Sequence, residues 1–273
     1  MADQEEILVL LNAAEGLLQV GLAGGGRIMA WQECEAAGQG AERLIPTLAD
    51  MLEEAGCGRE RIGRIACVRG PGGFTGIRLA LTTAFGLSRA ICGPGGERPR
   101  LAGIDYLPLL AASVLLEIQK IQELTDDLTA LWVLTHARRG QVNMQGFAPD
   151  GSPLTAPETV TLSEAVRQIE ARAAGRPGPL VILGSGVVRN REELSKALPR
   201  ALLLPEIYNH PSPAAMLRLA ESAAFGHEPI EPLYLRPCDA EENLPGIAAG
   251  LGLDPEEAAL ALRRLQTRLD YDS

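Results

Sequence analysis

The chain opens with three short apolar runs separated by turn residues. Ile7 to Leu11 is apolar without interruption, as a strand covered on both faces must be. Asn12-Ala13-Ala14-Glu15-Gly16 predicts a turn and Leu17 to Ala23 a second strand. Gly24-Gly25-Gly26 predicts a hairpin, and Ile28 to Cys34 returns as a third strand. The period then changes from two to 3.6. Ala41, Leu44, Ile45, Leu48, Met51, Leu52 and Ala55 cover more than half of a helix surface, and Gly56 stops it. Pro46 fits only near a first turn, so regular helix is expected from about Arg43.

The next stretch, Ile65 to Ala80, predicts a buried strand, a glycine-rich turn and a helix running to about Ile91. Gly70, Pro71, Gly72, Gly73, Thr75 and Gly76 form its structural loop. The glycines open backbone conformations, Pro71 stiffens the turn, and Thr75 is placed to cap the helix. A glycine turn at a helix N-terminus is also a candidate anion site. Ile77, Ala80, Leu81, Ala84 and Leu87 make one apolar face of the helix, while Leu79, Phe85 and Gly86 carry apolarity to the other. Arg78, Thr82 and Arg89 leave only a narrow polar seam. Such a helix is expected to be buried on two sides, by its own core and by a partner.

Leu101 to Gly103 predicts a short strand, and Ile104 to about Leu124 a long helix. The opening pattern then repeats: strand Ala130 to Leu134, a polar turn Thr135 to Gly140, and strand Gln141 to Phe147. Thr161-Leu162-Ser163 offers a cap for a helix from Glu164 to Ala173, and Leu180 to Leu183 is a buried strand ending in Gly184-Ser185-Gly186. A helix from about Ser212 to Phe225 follows. In the tail, Asp254 caps a helix to about Leu269 whose stripe is Ala258, Leu262, Leu265 and Leu269. Two halves with the same opening predict an α/β, two-lobed actin-like ATPase (ASKHA/RNase H-like) fold of duplicated βββαβα units with a C-terminal helical tail. The expected boundaries are 1–103, 104–236 (its last helix packing back on lobe one) and 237–273.

Composition narrows the chemistry. The 273 residues are 46% hydrophobic and 22% charged with a net charge of −10, which disfavours direct binding of a phosphate backbone. Five scattered cysteines without a C-x-x-C spacing exclude a cysteine zinc site. With no signal-like start and no spanning apolar run, they predict a soluble protein of a reducing cytosol, away from membranes. No lysine follows the glycines at 70–73, so the loop is not a Walker A motif. His136, His210 and His227 include no H-x-x-x-H pair, so no metal site is expected. Gly184-Ser185-Gly186 reads as a turn rather than a nucleophile elbow. No catalytic residue is assigned.

Val68-Arg-Gly-Pro-Gly-Gly-Phe-Thr-Gly-Ile-Arg78 closely resembles the G-R-G-P-G-S-F-T-G-[LVI]-R signature of the TsaB (YeaZ) family. Ala41 to Pro46 resembles its S-E-R-L-L-P segment, Ala137 to Val142 its D-A-R-x-x-x-V turn, and Pro232 to Arg236 its P-x-Y-L-R. The likeness runs from Ile7 to about Leu244. It implies an actin-like fold without catalysis of its own, pairing with the transferase TsaD and the ATPase TsaE in forming threonylcarbamoyladenosine at position 37 of tRNA. It also implies docking on TsaD, or on itself as a homodimer, through the first two helices. The expected interface is Arg43, Leu44, Thr47, Leu48, Met51, Phe74, Arg78, Leu79, Thr82, Phe85 and Arg89. Transfer RNA is then met only through the complex, and ATP, ADP or metal only at the interface with the transferase. Asn12 stands for the family's Asp, Gly40 for its His and His136 for the Asp of D-A-R, so Asn12, His136 and Gly184 mark vestigial nucleotide turns. The rival expectations are an active actin-like kinase or ATPase and a peptidase.

Overall fold

Strand β1 (Ile7–Asn12) buries all six side chains, because it lies at the centre of a sheet covered on both sides. The structure, a computed structural model, describes residues 6–35, 40–118, 128–176, 178–236, 243–261 and 264. In the first sheet β1 is flanked by β2 (Leu17–Gly24) and β4 (Ile62–Gly70), with β3 (Arg27–Glu35) and β5 (Arg100–Asp105) at the edges. The strands β1, β2 and β3 form an antiparallel meander, and β4 and β5 add in parallel to β1.

The second sheet repeats this plan. Strand β6 (Ala130–Arg138) is central, with β7 (Gln141–Phe147) and β8 (Glu158–Thr161) antiparallel on one side. On the other side β9 (Leu180–Leu183) and β10 (Ala201–Leu203) run parallel to it. Both sheets therefore have third, second, first, fourth and fifth strands side by side with the same polarity. That duplication defines a two-lobed actin-like fold. Each half carries a fifth strand and a closing helix beyond the expected βββαβα.

Helices α1 (Gly40–Glu54) and α2 (Phe74–Ala90) belong to the first half, and α3 (Tyr106–Ile118) lies between the sheets. The second half has α4 (Leu162–Ala173), the short α5 (Ser185–Arg189) and α6 (Arg191–Ala197), then α7 (Pro213–Ser222). Helix α7 packs on α3 and on β1, β3 and β5, returning the chain to the first sheet. The two faces of β6 separate two cores. Leu131 and Val133 join a core with β1, β4, α2, α3 and α7, while Trp132 and Leu134 pack with Val142, Ile169, Val187 and Leu194. Residues 1–235 form one unit and 236–273 another.

Several expectations shift. Helix α2 begins at Phe74 with Gly73 as its cap residue and no side-chain cap bond, so Thr75 lies in the first turn and does not cap it. Pro46 sits inside α1, which starts at Gly40, so regular helix begins before Arg43 and the Glu42 carbonyl goes without its usual donor. The polar segment at 135–138 continues β6 through an irregular register, leaving only Arg139-Gly140 as the turn. Strand β5 extends to Asp105, so α3 starts at Tyr106; the expected continuation over 119–124 lies outside the described residues. Helix α7 ends at Ser222, short of Phe225. Thr161 does cap α4, accepting from the Glu164 amide.

In the second unit, α8 (Leu244–Gly250) precedes a helical stretch at 255–261. Asp254 Oδ1 accepts from the Glu256 and Glu257 amides at 2.8 and 3.0 Å, the expected cap. Of the expected stripe only Ala258 is described; Leu262, Leu265 and Leu269 lie outside the described residues.

Candidate functional site

Two regions gather the chemistry. The first lies where the carboxyl ends of β1, β4, β6 and β9 meet at the lobe junction, the end of parallel strands where α/β folds bind ligands. Asn12 ends β1 with 1% exposure. Its amide nitrogen donates to Gln19 Oε1 at 2.7 Å and its Oδ1 accepts from the Ala14 N–H at 3.0 Å. The glycine loop packs against the same turn. The Gly73 N–H donates to the Ala14 carbonyl at 2.7 Å. A Cβ on Gly72 would stand 2.4 Å from that oxygen, and one on Gly76 would stand 2.1 Å from the Ala13 carbonyl. Gly70 ends β4 with φ +122, and Pro71 beside it is buried. The loop is thus a wedge between α2 and the β1–β2 turn. Gly76→Ala should cost about 3 kcal/mol, read as a lower urea midpoint with an unchanged slope, because a backbone oxygen has nowhere to retreat.

Across the junction, Gly184 turns the chain from β9 into α5 with φ +107, and its backbone nestles on the Leu134 carbonyl. The next residue, Ser185, donates from Oγ to Glu15 Oε1 at 2.6 Å and accepts from the His136 N–H at 2.8 Å. His136, half-buried on β6, is held below the usual imidazole range by burial and by Arg189. The structure brings Asn12, His136 and Gly184 to one junction, where Glu15, Ser185 and Tyr106 add side-chain contacts that cross between the lobes. The residues present do not fit a metal-bound nucleotide at this turn. Asn12 is neutral and engaged, and among the described residues no three His, Cys, Asp or Glu side chains could share a metal ion.

Glu15 is half-buried as a residue, with its carboxyl enclosed. Burial pushes it up to about 7, against the opposing pull of Ser185, Tyr106 and Arg189. A folded-state value above the unfolded 4.5 means the native state binds the extra proton between those values, so stability falls as pH rises through that window. The wild type should lose on the order of 3 kcal/mol between about pH 4.5 and 7 relative to Glu15→Gln. Urea unfolding of both proteins at several pH values measures this; parallel pH profiles would contradict it.

The second region is the outer face of α2. Phe74 packs on Tyr234, with ring centroids 4.7 Å apart at 48°. The Arg78 guanidinium lies 5.8 Å from the Phe74 ring and 5.6 Å from Tyr234, and its Nε donates to Tyr234 Oη at 2.8 Å. Arg89 covers the Phe85 ring at 4.8 Å. Thr82, exposed between them, donates its hydroxyl proton to the Arg78 carbonyl. With half-buried Leu79, this is a continuous surface of rings, aliphatic carbon and guanidinium. Helix α1 packs on α2 and adds exposed Arg43 and Ile45 and half-buried Thr47.

Three expected interface residues are corrected. Leu44, Leu48 and Met51 are 0, 3 and 2% exposed and belong to the core of the first unit, so they do not line a surface. Tyr234, in the P-x-Y-L-R segment, joins this face from outside the expected interface set. Glu15 gave no sequence signal, since its partner Ser185 is 170 residues away.

The comparisons with known proteins agree with this architecture. Residues 34–145 match the family model of TsaD, tRNA N6-adenosine threonylcarbamoyltransferase. The chain is 26% identical over 218 residues to the tRNA threonylcarbamoyladenosine biosynthesis protein TsaB of Escherichia coli K12, covering 75% of this chain and 84% of that one. Two Pseudomonas aeruginosa structures share the fold at 21% identity: a protein described as similar to peptidase YeaZ, and YeaZ. Their TM-scores are 0.63 and 0.59, with 85 and 84% of this chain covered and 100% of each of theirs. The duplicated topology defines a two-lobed actin-like protein whose own side chains fill the junction between the lobes. Within that class, the chain is similar to TsaB of Escherichia coli and, in fold, to YeaZ of Pseudomonas aeruginosa.

Proposed function

We propose that this chain is the non-catalytic scaffold and activator of a TsaD-like threonylcarbamoyltransferase in the formation of N6-threonylcarbamoyladenosine at position 37 of tRNA. Its place in that biosynthesis rests on its likeness to the Escherichia coli protein. The observation that carries the scaffold reading is the outer face of α2. It presents Phe74, Arg78, Leu79, Thr82, Phe85 and Arg89, and the helix has no acidic residue although the chain has a net charge of −10. Aromatic rings with arginine are the residues that dominate protein interfaces. The engaged Asn12 and the loop wedged on Ala13 and Ala14 support a body that holds a partner rather than turning over a nucleotide.

On this reading the chain has no cofactor of its own, and ATP, ADP or metal belongs to the interface with the transferase. A TsaE-like ATPase joins the pair, tRNA is met through the complex, and a homodimer uses the same α2 face when the transferase is absent. The complex works in the cytosol. Reconstitution tests it: tRNA modification by the transferase should require this chain, and full modification without it would overturn the scaffold role. Calorimetry with Mg·ATP separates the rival. The isolated chain should give no one-site isotherm, and a clear one would favour an actin-like ATPase. Cleavage of a partner by the purified, metal-free chain would favour a peptidase.

A further inference from the structure

The segment that follows α7 returns across the first sheet and is fastened to it at three points. Leu101 and Gly226 exchange backbone hydrogen bonds at 2.7 and 2.9 Å. Ile230 packs on the core, close enough that a Cβ on Gly103 would stand 2.8 Å from its side chain. The Leu233 N–H donates to the Arg69 carbonyl at 2.7 Å, and a Cβ on Gly70 would stand 2.5 Å from the Leu233 carbonyl oxygen. Leu235 packs on the core as well, so the backbone on both sides of Tyr234 is held against the end of β4. From that fixed strap the Tyr234 ring lies on Phe74, in the first turn of α2. Arg78 stands one turn further along the same helix face. It is exposed, yet its Nε donates to Tyr234 Oη at 2.8 Å across 156 residues of sequence, and its guanidinium lies 5.8 and 5.6 Å from the Phe74 and Tyr234 rings. An arginine on a helix surface ordinarily samples many rotamers, and here one bond and two ring contacts select among them. Because the guanidinium is planar and rigid, fixing Nε orients its other N–H groups too.

We infer that Tyr234 is a positioning residue for docking: it holds Arg78 in one pose on α2, so the docking surface is built from two separate stretches, α2 at 74–89 and the strap at 232–235. This rests on the reading of α2 as the face that takes the transferase. An arginine that is already ordered loses less freedom when a partner closes over it, and the partner meets a fixed pattern of donors instead of a moving charge. Arginines beside rings are the residues that carry binding energy at such faces, so ordering one of them before contact shows in the affinity. The group that the partner sets against Arg78 is an oxygen acceptor, because a guanidinium has donors only. Tyr234 acts through Arg78: its hydroxyl oxygen is the acceptor for Nε, and its ring lies against Phe74 and the guanidinium.

Tyr234→Phe keeps the ring and removes the acceptor. On the full chain alone, NMR relaxation of the Arg78 Nε–H reads the positioning without any partner. The wild type should show a restrained group, with an order parameter of about 0.8, and Tyr234→Phe should bring it below about 0.6 with almost no change in melting temperature. Equal order parameters in the two proteins overturn the positioning role. So does a wild-type Arg78 Nε–H as mobile as that of exposed Arg43, a comparison that needs no variant. Docking is read as the dissociation constant for the transferase. Tyr234→Phe should weaken it about fivefold, the scale of one long side chain left to be ordered on binding. In an Arg78→Ala background the same change should have almost no effect, since the residue it acts through is gone. No weakening by Tyr234→Phe, or equal weakening in both backgrounds, overturns the proposal. A wild type that does not bind the transferase overturns the docking reading instead, and the order parameters still decide whether Tyr234 holds Arg78.

Discussion

Phe85→Glu is expected to leave a folded protein that no longer holds the transferase. Phe85 is half-buried, its ring lying under the Arg89 guanidinium and its edge on the core. Replacing it forfeits the cation–ring contact and part of an apolar contact, about 1–2 kcal/mol of a stability several times larger. The interface loses more. A ring at the centre of an arginine-flanked face is the type of residue whose truncation costs 2 kcal/mol or more, about thirtyfold in dissociation constant, and a carboxylate adds the cost of its own desolvation. Thr82→Glu, exposed one turn away and no part of the core, should weaken docking with almost no change in melting temperature. Pull-down by the transferase, with a denaturation curve for each variant, measures both effects.

Leu48→Glu is expected to act in the opposite way, by unfolding the first unit. Leu48 is 3% exposed between Leu44 and Met51, in a core that continues through β1, β4 and α2. A carboxylate there has no partner and no water, and the cost, roughly 5 kcal/mol, is on the scale of a domain's whole stability. The variant should appear in the insoluble fraction or melt far below the wild type. Lost docking by Leu48→Glu would therefore say nothing about the surface, whereas lost docking by Phe85→Glu or Thr82→Glu would.

That contrast marks where the sequence was legible. The unbroken apolar run of β1 and the polar caps at Thr161 and Asp254 are local, and each stands where its pattern placed it. The duplication followed from these. An apolar stripe, however, does not say who covers it. Leu44, Leu48 and Met51 are as hydrophobic as a docking face requires, yet the chain's own sheet takes them, and the outer α2 surface is made instead of rings beneath guanidinium groups. Strand β10 has three residues and two neighbouring short helices, too little for a period to register. Glu15 was hidden for a different reason. A glutamate in a turn is ordinarily solvated, and only the return of Ser185, His136 and Tyr106 from distant segments encloses it. Similarly, the glycines at 72 and 76 read as a structural loop and candidate anion site, without showing that they let α2 approach the Ala13 and Ala14 carbonyls.

The most direct test of the scaffold reading is size-exclusion chromatography with light scattering on the chain mixed with a TsaD-like transferase. The wild type should elute with the transferase as one species whose mass is the sum of the two chains, and Thr82→Glu or Phe85→Glu should elute apart from it. Separate elution of the folded wild type and the transferase, or a complex that both variants still form, would contradict docking through α2.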